Sequence, residues 1–166
     1  MRKCMKSEHK ISQRMGVSRF GYSIQVSSKE MFEDLCRLGL TPNKSKRMKL
    51  PNVPLRYFSD FIRGYFDGDG NIWSGHYNKK RVTPTKALSA GFTSASLEFL
   101  ADLQRSLRRR GIKGGYTFIS QSRTYGQLRF STLDALKLAE IMYNVPHRLF
   151  LQRKRTVFEK FKQMRL

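Results

Sequence analysis

The sequence predicts an α+β domain in which helices pack on one face of an antiparallel sheet. Segments of alternating apolar and polar residues, typical of strands, are interspersed with segments of helical apolar spacing. The chain has 166 residues, 39% of them hydrophobic, so it can bury roughly 68–70% of its unfolded surface in a core. Its 33 lysines and arginines outnumber 12 aspartates and glutamates, giving a net charge of +21, which indicates a polyanionic partner.

The N-terminal part of the chain begins with a polar, basic stretch, residues 1–19, which we expect to be mobile. Residues 22–26 alternate in polarity as a strand does. Ser27 and Glu30 have the spacing of a capping box, and helical apolar spacing follows until Gly39, which predicts a short helix. A basic loop leads from this helix into the rest of the chain.

The remaining residues predict four helices and four strands. In order, they are a helix over residues 55–69, strands near 71–78 and 88–93, a helix over 97–110, a hairpin of 116–120 and 127–131, a helix over 134–143 capped by Thr132, and an amphipathic helix over 150–164. The sequence thus predicts one complete unit of order αββαββα within residues 55–166.

A similar order of elements occurs in the N-terminal segment and in this unit. The order strand, capped helix, proline and basic cluster occurs at residues 22–46 and again at 127–154, either as a true repeat or by coincidence. Taken as a repeat, it makes residues 1–54 the basic tail of a preceding half-repeat and residues 55–166 the complete domain.

Composition excludes several classes of protein. No run of about 18 apolar residues could span a membrane, and the basic N-terminus lacks the apolar region of a secretory signal. Cys4 and Cys36 lack the spacing of a zinc or redox site and are expected to be reduced thiols. We therefore expect an intracellular protein, cytoplasmic or organellar. Nucleic acid is the expected polyanion, and the alternatives are an anionic lipid surface or simply an unusually basic surface.

The most specific segment is F-I-R-G-Y-F-D-G-D-G, residues 61–70. Gly64 and Gly68 lie four residues apart on a helix that is otherwise rich in large apolar groups. Glycine inside a helix costs about 1 kcal/mol relative to alanine, whereas small residues at this spacing let two helices approach closely. We therefore expect this face, with Phe61 and Tyr65 beside the glycines, to pack against a second helix.

Two carboxylates follow at the end of the same helix. Asp67 and Asp69 lie where the helix dipole already places about −0.5 charge, and Gly70 is expected to end the helix in the left-handed conformation. Carboxylate and backbone oxygens are the ligands of Mg²⁺ and Ca²⁺. A metal site would stabilise this arrangement; the alternative is an ordinary D-G-D-G turn. The glycine spacing and the +21 background favour the metal site.

Residues 62–70 resemble, without gaps, the LAGLIDADG motif of homing endonucleases, in the variant found in group I intron and intein endonucleases. The resemblance extends to residues 39–45 before the motif and to 151–154 after it, and covers nearly the whole chain from residue 22. It implies an α+β fold with a saddle-shaped antiparallel DNA-binding sheet. It also implies cleavage of double-stranded DNA across the minor groove.

The resemblance further implies roles for individual residues. Two motif helices pack side by side, and Asp69 of each, with the Gly68 carbonyl, would bind Mg²⁺ between the two scissile phosphates, with Mn²⁺ or Ca²⁺ able to substitute for binding. Asp67 would shape the helix end beside the metal. Lys154, with Arg153, matches the basic position that steadies the transition state, and the alternative for Lys154 is a solvated charge at a helix end.

The strands are expected to read DNA from the major groove, which admits a twisted antiparallel ribbon. Gln127 and Arg129 share one face of the last strand, opposite Leu128 and Phe130, so one face meets a core and the other meets DNA. For residues 71–78 the phase stays open between a DNA face of Trp73 and Tyr77 and one of Ser74 and His76. Cations at strand ends and in loops are candidate phosphate contacts: Lys79, Lys80, Arg81, Lys86 and Arg123.

Only one motif is present, and one-motif members of the family pair as homodimers. We therefore expect a homodimer through the helix of residues 55–68; the alternative is a truncated or degenerate copy. The sequence predicts a sequence-specific, divalent-metal-dependent double-strand DNA endonuclease. The alternatives are a non-catalytic DNA-binding regulator, an RNA maturase that reuses the basic sheet, or a basic structural protein without sequence preference.

Overall fold

The computed structural model describes residues 7–15, 20–78, 80, 82–122, 124–144 and 149–164. The chain divides into two compact units, Met1–Leu38 and Gly39–Leu166. The first unit contains an antiparallel hairpin and one helix, in the order β1 (Ile11–Met15), β2 (Phe20–Ile24) and α1 (Lys29–Arg37). The predicted domain division at residue 54 stays a prediction about a preceding repeat; the compact units divide after Leu38.

The first unit corrects two predictions. Residues 11–15 form a strand where we expected a mobile stretch, and every residue of that strand is exposed, so no alternation of burial could mark it in the sequence. The helix begins one residue later than predicted, because the hydroxyl of Ser28, not Ser27, accepts a hydrogen bond from the backbone N–H of Met31 at 3.1 Å.

The second unit contains the predicted αββαββα order followed by a last helix. A short 3₁₀ turn, Leu55–Tyr57, leads into these elements, which are α2 (Phe58–Asp69), β3 (Gly70–Tyr77), β4 (Thr85–Ser94), α3 (Leu97–Arg108), β5 (Tyr116–Ile119), β6 (Gly126–Phe130), α4 (Thr132–Tyr143) and α5 (Gln152–Gln163). Four strands form one antiparallel sheet in the order β3-β4-β6-β5. The predicted fold class is confirmed.

The core lies between one face of this sheet and the helices. Leu88, Phe92, Leu128 and Phe130 point from β4 and β6 into a cluster with buried residues of α2, α3, α4 and α5. The alternation of buried and half-buried residues along β6 confirms the predicted division of its two faces. Within the described residues of the second unit, the opposite face of the sheet has no helix layer, and it is called here the outer face.

Polar side chains join the segments around this core. Ser96 caps α3 by accepting a hydrogen bond from the Phe99 N–H at 3.2 Å, and its hydroxyl donates to the Met48 carbonyl at 2.7 Å. Thr132, predicted to cap α4, is instead the first helical residue. Its hydroxyl accepts a hydrogen bond from the Leu88 N–H and donates to the Leu88 carbonyl on β4. The hydroxyl therefore binds the sheet and does not cap the helix.

Arg63 is a buried polar anchor of the second unit. It lies in the middle of α2, buried, and its guanidinium donates to the Met142 carbonyl at the end of α4 and to the Leu149 carbonyl before α5, both at 2.9 Å. It also pairs with the Asp60 carboxylate one turn earlier. One side chain therefore holds α2 to the ends of two other helices.

We expect Arg63→Met to lower the free energy of unfolding by about 3–5 kcal/mol, because it removes a buried charge from its ion pair and leaves two carbonyl oxygens without their donor. Urea denaturation followed by circular dichroism at one fixed protein concentration measures this loss.

Arg105→Met is the matched control. Arg105 also pairs with an aspartate three residues earlier, Asp102, but its side chain is 68% exposed against 5% for Arg63, so the expected loss is at most about 1 kcal/mol. Equal losses for the two variants would contradict the anchoring role of Arg63.

Candidate functional site

The helix α2 has two faces with opposite character. Phe58, Ile62 and Phe66 recur every four residues and are buried in the core, as the helical period requires. Gly64 and Gly68 lie on the other face, exposed, and a Cβ built on either would meet no atom within 4 Å. The glycine face of α2 is therefore open, and nothing in its own described chain uses the close approach that glycine allows.

An open groove of about 940 Å³ runs along this glycine face. Gly64 and Asp69 line it from α2, and Met48 and Phe99 line it from neighbouring segments. Tyr65 also borders the groove, but its hydroxyl donates to the Thr93 carbonyl at 2.6 Å, so its own sheet holds it in place. Phe61, predicted with Tyr65 beside the glycines, is half-buried and packs against the core.

Asp69 is the last residue of α2 and is exposed at the end of the groove. No described residue forms a hydrogen bond or ion pair with its carboxylate; in particular, no described arginine does. Gly70 follows in an extended conformation, φ −76° and ψ 153°, and begins β3, so the predicted left-handed stop is wrong. Glycine is needed there for space, because a Cβ would lie 2.5 Å from the Phe66 carbonyl oxygen.

Asp67 has a different environment from Asp69. It is half-buried, and its Oδ2 accepts a hydrogen bond at 2.8 Å from the backbone N–H of Leu151, the N-cap residue of α5. Its Oδ1 and the Tyr143 hydroxyl are buried without a hydrogen-bond partner in the described chain. Burial, reinforced by the Asp67 charge, raises the pKa of Tyr143 above its ordinary value.

Lys154, on α5, closes the end of α2. Its side chain is only 4% exposed, and its Nζ lies 2.6 Å from the Phe66 carbonyl oxygen, 3.0 Å from that of Asp67 and 2.6 Å from that of Gly70. The last carbonyls of a helix have no partner within it, and an ammonium group there opposes the helix dipole. The pKa of Lys154 is lowered from its ordinary value, because burial and the nearby Arg153 charge outweigh the opposite effect of Asp67 and Asp69.

The structure places Lys154, Asp67 and Asp69 at one helix end, where Lys154 binds backbone oxygens. The Gly68 carbonyl is not among the three oxygens that Lys154 binds. Arg153, the neighbour of Lys154, is exposed on α5. The contacts of Lys154 span more than 80 residues of sequence, so no local pattern could have predicted them.

The outer face carries part of the predicted nucleic-acid surface. Gln127 and Arg129 are half-buried there, and the Arg129 Nε donates to Gln127 Oε1 at 2.9 Å. Strand pairing places Asn71 and Arg129 opposite Gly91 from its two sides. This register assigns Trp73 and Tyr77 to the outer face and fixes the phase of β3; a contact with DNA there stays a prediction.

The cations predicted at loops and strand ends are only partly described. Lys80 is exposed, and Lys86 is exposed with its Nζ 3.4 Å from the Met164 carbonyl oxygen. Lys79, Arg81 and Arg123 lie outside the described residues.

The outer face also holds aromatic residues that sequence reasoning missed. Tyr116 pairs with Arg129 and Phe118 with Gln127, so both lie on this face of β5, and both are exposed. The signal was present in the alternation Tyr-Thr-Phe-Ile, which we interpreted only as a hairpin strand.

The donors for a divalent cation are incomplete within one chain. Among the described residues there is no cluster of three or more histidines, cysteines or acids that could hold a metal ion. Asp69 and the Gly68 carbonyl are oxygen donors of the type that Mg²⁺ and Ca²⁺ prefer, but they supply only part of a coordination shell. In the described part of the chain, no helix has the length and apolar character needed to cross a membrane.

Comparison with known families decides the identity of the domain. A family model described as a LAGLIDADG-like domain matches residues 59–143, half of the chain, from the start of α2 to the end of α4. The chain belongs to the LAGLIDADG family. Its α2 is therefore the LAGLIDADG helix, and the predicted resemblance is confirmed.

Solved LAGLIDADG structures share this fold. The meganuclease I-SmaMI, bound to uncleaveable DNA, superposes with a TM-score of 0.52 at 13% identity, over 82% of this chain and 43% of that one. I-CeuI, a group I intron-encoded homing endonuclease complexed with DNA, gives a TM-score of 0.51 at 12% identity, over 82% of this chain and 73% of that one. At these identities the likeness shows the fold alone.

A curated protein matches over a shorter stretch. The probable translation initiation factor IF-2 of Thermococcus kodakarensis (strain ATCC BAA-918 / JCM 12380 / KOD1) is 38% identical over 73 residues, which cover 42% of this chain. The matched stretch is 5% of the length of that relative, so its name describes a protein of which this LAGLIDADG chain resembles a small part.

We expect Lys154→Met to lower the free energy of unfolding by at least about 1.5–3 kcal/mol, because three carbonyl oxygens, one buried and two part-buried, lose a charged donor. The side chain keeps its approximate length and loses its ammonium. Arg153→Met removes one exposed positive charge from the same turn and is expected to leave the stability nearly unchanged. Thermal and urea unfolding of both variants measures the difference; an unchanged stability of Lys154→Met would show that the lysine does not hold the end of the LAGLIDADG helix.

Proposed function

We propose that this protein is a sequence-specific, divalent-metal-dependent endonuclease that hydrolyses both strands of duplex DNA as a homodimer. The observation that carries the proposal is Asp69, an acid without a described partner in its own chain, at the end of a helix whose glycine face is open. The membership of the LAGLIDADG family and the net charge of +21 support a nuclease that acts on a polyanion.

Pairing of two LAGLIDADG helices would complete the site. Gly64 and Gly68 allow two backbones to approach, as small residues four apart do elsewhere, with Phe61 and Tyr65 at the borders of the contact. The approach would bring the Asp69 residues of two copies close together. Because one described chain offers too few metal ligands, the second copy supplies what the first lacks.

Asp69 and the Gly68 carbonyl from each copy would hold Mg²⁺. When bound, the metal would supply a water activated for attack and a positive charge opposite the phosphate. The chain contributes rigidity: Lys154 fixes the end of α2, and Asp67 fixes the start of α5. Arg153 is exposed beside Lys154 and is proposed to contact the scissile phosphate.

The outer face is proposed to lie in the major groove. Gln127 and Arg129 are the candidates for base edges, since amide and guanidinium groups pair with purines there. Phosphates would be contacted by the cations at strand ends and loops, which set position rather than sequence. These are Lys80 and Lys86 among the described residues and Lys79, Arg81 and Arg123 outside them.

We expect Asp69→Asn to reduce Mg²⁺-dependent cleavage by at least about 100-fold, because the variant removes a metal ligand. Duplex binding in Ca²⁺ should be retained, because the variant leaves the positively charged side chains in place. The substrate is a randomised duplex library, and sequencing of the cut ends identifies the site and the 3′ overhangs.

Glu140→Gln, an exposed acid-to-amide change on α4, is the control and should cleave as the wild type does. Cleavage by Asp69→Asn at the wild-type rate would refute the catalytic assignment. Binding without any cleavage by the wild type would favour the non-catalytic regulator.

We expect Gly64→Leu to convert the dimer to a monomer and to abolish cleavage, while the fold of each chain is kept, because the new side chain enters open space in the monomer and blocks the approach of a second helix. Light scattering reports the mass and circular dichroism the fold. Ala101→Leu, on the exposed side of α3, is the control. A monomeric wild type at micromolar concentration would contradict the proposed dimer.

A further inference from the structure

The outer face of the sheet carries four exposed aromatic side chains. Trp73 and Tyr77 lie on β3, Tyr116 and Phe118 lie on β5, and each is between 43% and 58% exposed. The pairing register places all four on the face opposite the core. Exposed aromatic rings on one face mark an interaction surface. The polar contacts proposed between the outer face and the edges of paired bases do not require these rings.

Trp73 is held with one ring face towards the strand. A Cβ built on Gly75 would lie 2.5 Å from Cζ2, 3.0 Å from Cη2 and 3.1 Å from Cε2 of the indole, so the six-membered ring covers Gly75. The Tyr77 ring follows along the same strand, with the two ring centroids 5.1 Å apart. Gly75 makes room for the indole, and Trp73 stays 43% exposed.

The second pair of rings lies at the opposite edge of the sheet. The Arg129 guanidinium lies 5.5 Å from the centre of the Phe118 ring, which places a positive charge beside an aromatic surface. Between the two edges, β4 presents Ser89, Gly91 and Thr93. Neighbouring strands lie about 4.8 Å apart, so the two aromatic edges are separated by about 14 Å. The small and polar residues of β4 lie between them and are called here the polar floor.

We propose that the outer face binds a single-stranded segment of RNA by stacking unpaired bases on Trp73 and on Phe118. The face of a ring can stack only on the face of a base, and in a duplex those faces are already covered by neighbouring base pairs. RNA is the polymer that presents unpaired bases, in loops and ends, and aromatic residues on a four-stranded sheet are one way to take them.

The charge and the polar floor fit the same ligand. Arg129 on the outer face and the exposed Lys80 after β3 neutralise phosphates, and Ser89 and Thr93 offer hydroxyl groups to ribose 2′-hydroxyls. The proposal does not depend on Asp69 or on dimer formation, so it can fail while the endonuclease proposal stands, and the reverse.

Trp73 is the single tryptophan of the chain, so its fluorescence reports stacking directly. The probe is a 12-nucleotide oligouridine at 50 mM salt, compared with a 12-nucleotide oligothymidine and a 12-base-pair duplex. We expect oligouridine to quench the fluorescence and to bind more tightly than oligothymidine. Fluorescence anisotropy with labelled oligouridine gives the affinities of the variants.

We expect Trp73→Ala and Phe118→Ala each to weaken oligouridine binding by about 5- to 150-fold. Trp73→Phe should restore most of the affinity because it restores a ring. Leu133→Ala, an exposed apolar residue on α4, is the matched control, and Asp69→Asn should bind oligouridine as the wild type does. Circular dichroism confirms that each variant is folded.

Three results would overturn the proposal. They are unchanged oligouridine affinity in both alanine variants, tighter binding of oligothymidine than of oligouridine, and a loss of duplex affinity in Trp73→Ala as large as the loss of oligouridine affinity. The last result would mean that the ring serves duplex recognition.

Discussion

The second unit depends on the ammonium group of Lys154 at the end of the LAGLIDADG helix. That helix ends with two carboxylates and with carbonyl oxygens that have no helical partners, an unfavourable concentration of negative charge. Lys154 reaches from α5 to two of those oxygens and to the Gly70 carbonyl just beyond them, and Asp67 reaches from α2 to the N–H of Leu151, the N-cap residue of α5. Each helix thus supplies hydrogen-bond partners for an end of the other. Asp69 takes no part in these contacts and is exposed at the surface.

The LAGLIDADG helix therefore divides its residues among three tasks. Phe58, Ile62 and Phe66 are used by the core, and Arg63 and Asp67 hold the surrounding helices through buried polar contacts. What remains is the glycine face with Asp69, which the described residues of the same chain do not use. This separation is why folding and the proposed chemistry of the helix can be examined with different variants.

The sequence predicts what periodicity and local spacing carry, and little of what long-range contacts decide. Helical spacing predicted all the helices of the second unit, and alternation predicted the two faces of β6. Alternation could not set the phase of β3, because aromatic, small and polar residues occur on both faces of that strand and neither face is clearly apolar. The role of Lys154 depends on a contact to Phe66 across 88 positions, and the strand at residues 11–15 has no buried side to mark it.

The empty space in front of Gly64 and Gly68 has an evolutionary consequence. Positions that contribute no contacts to the folded chain are not protected by selection for folding, so they are free to change as soon as assembly ceases to matter. Under the proposed function, a descendant could lose the dimer and its cleavage by single substitutions there and still persist as an intact, positively charged module. Such a lineage would keep the proposed affinity for polynucleotides after the proposed cleavage was lost.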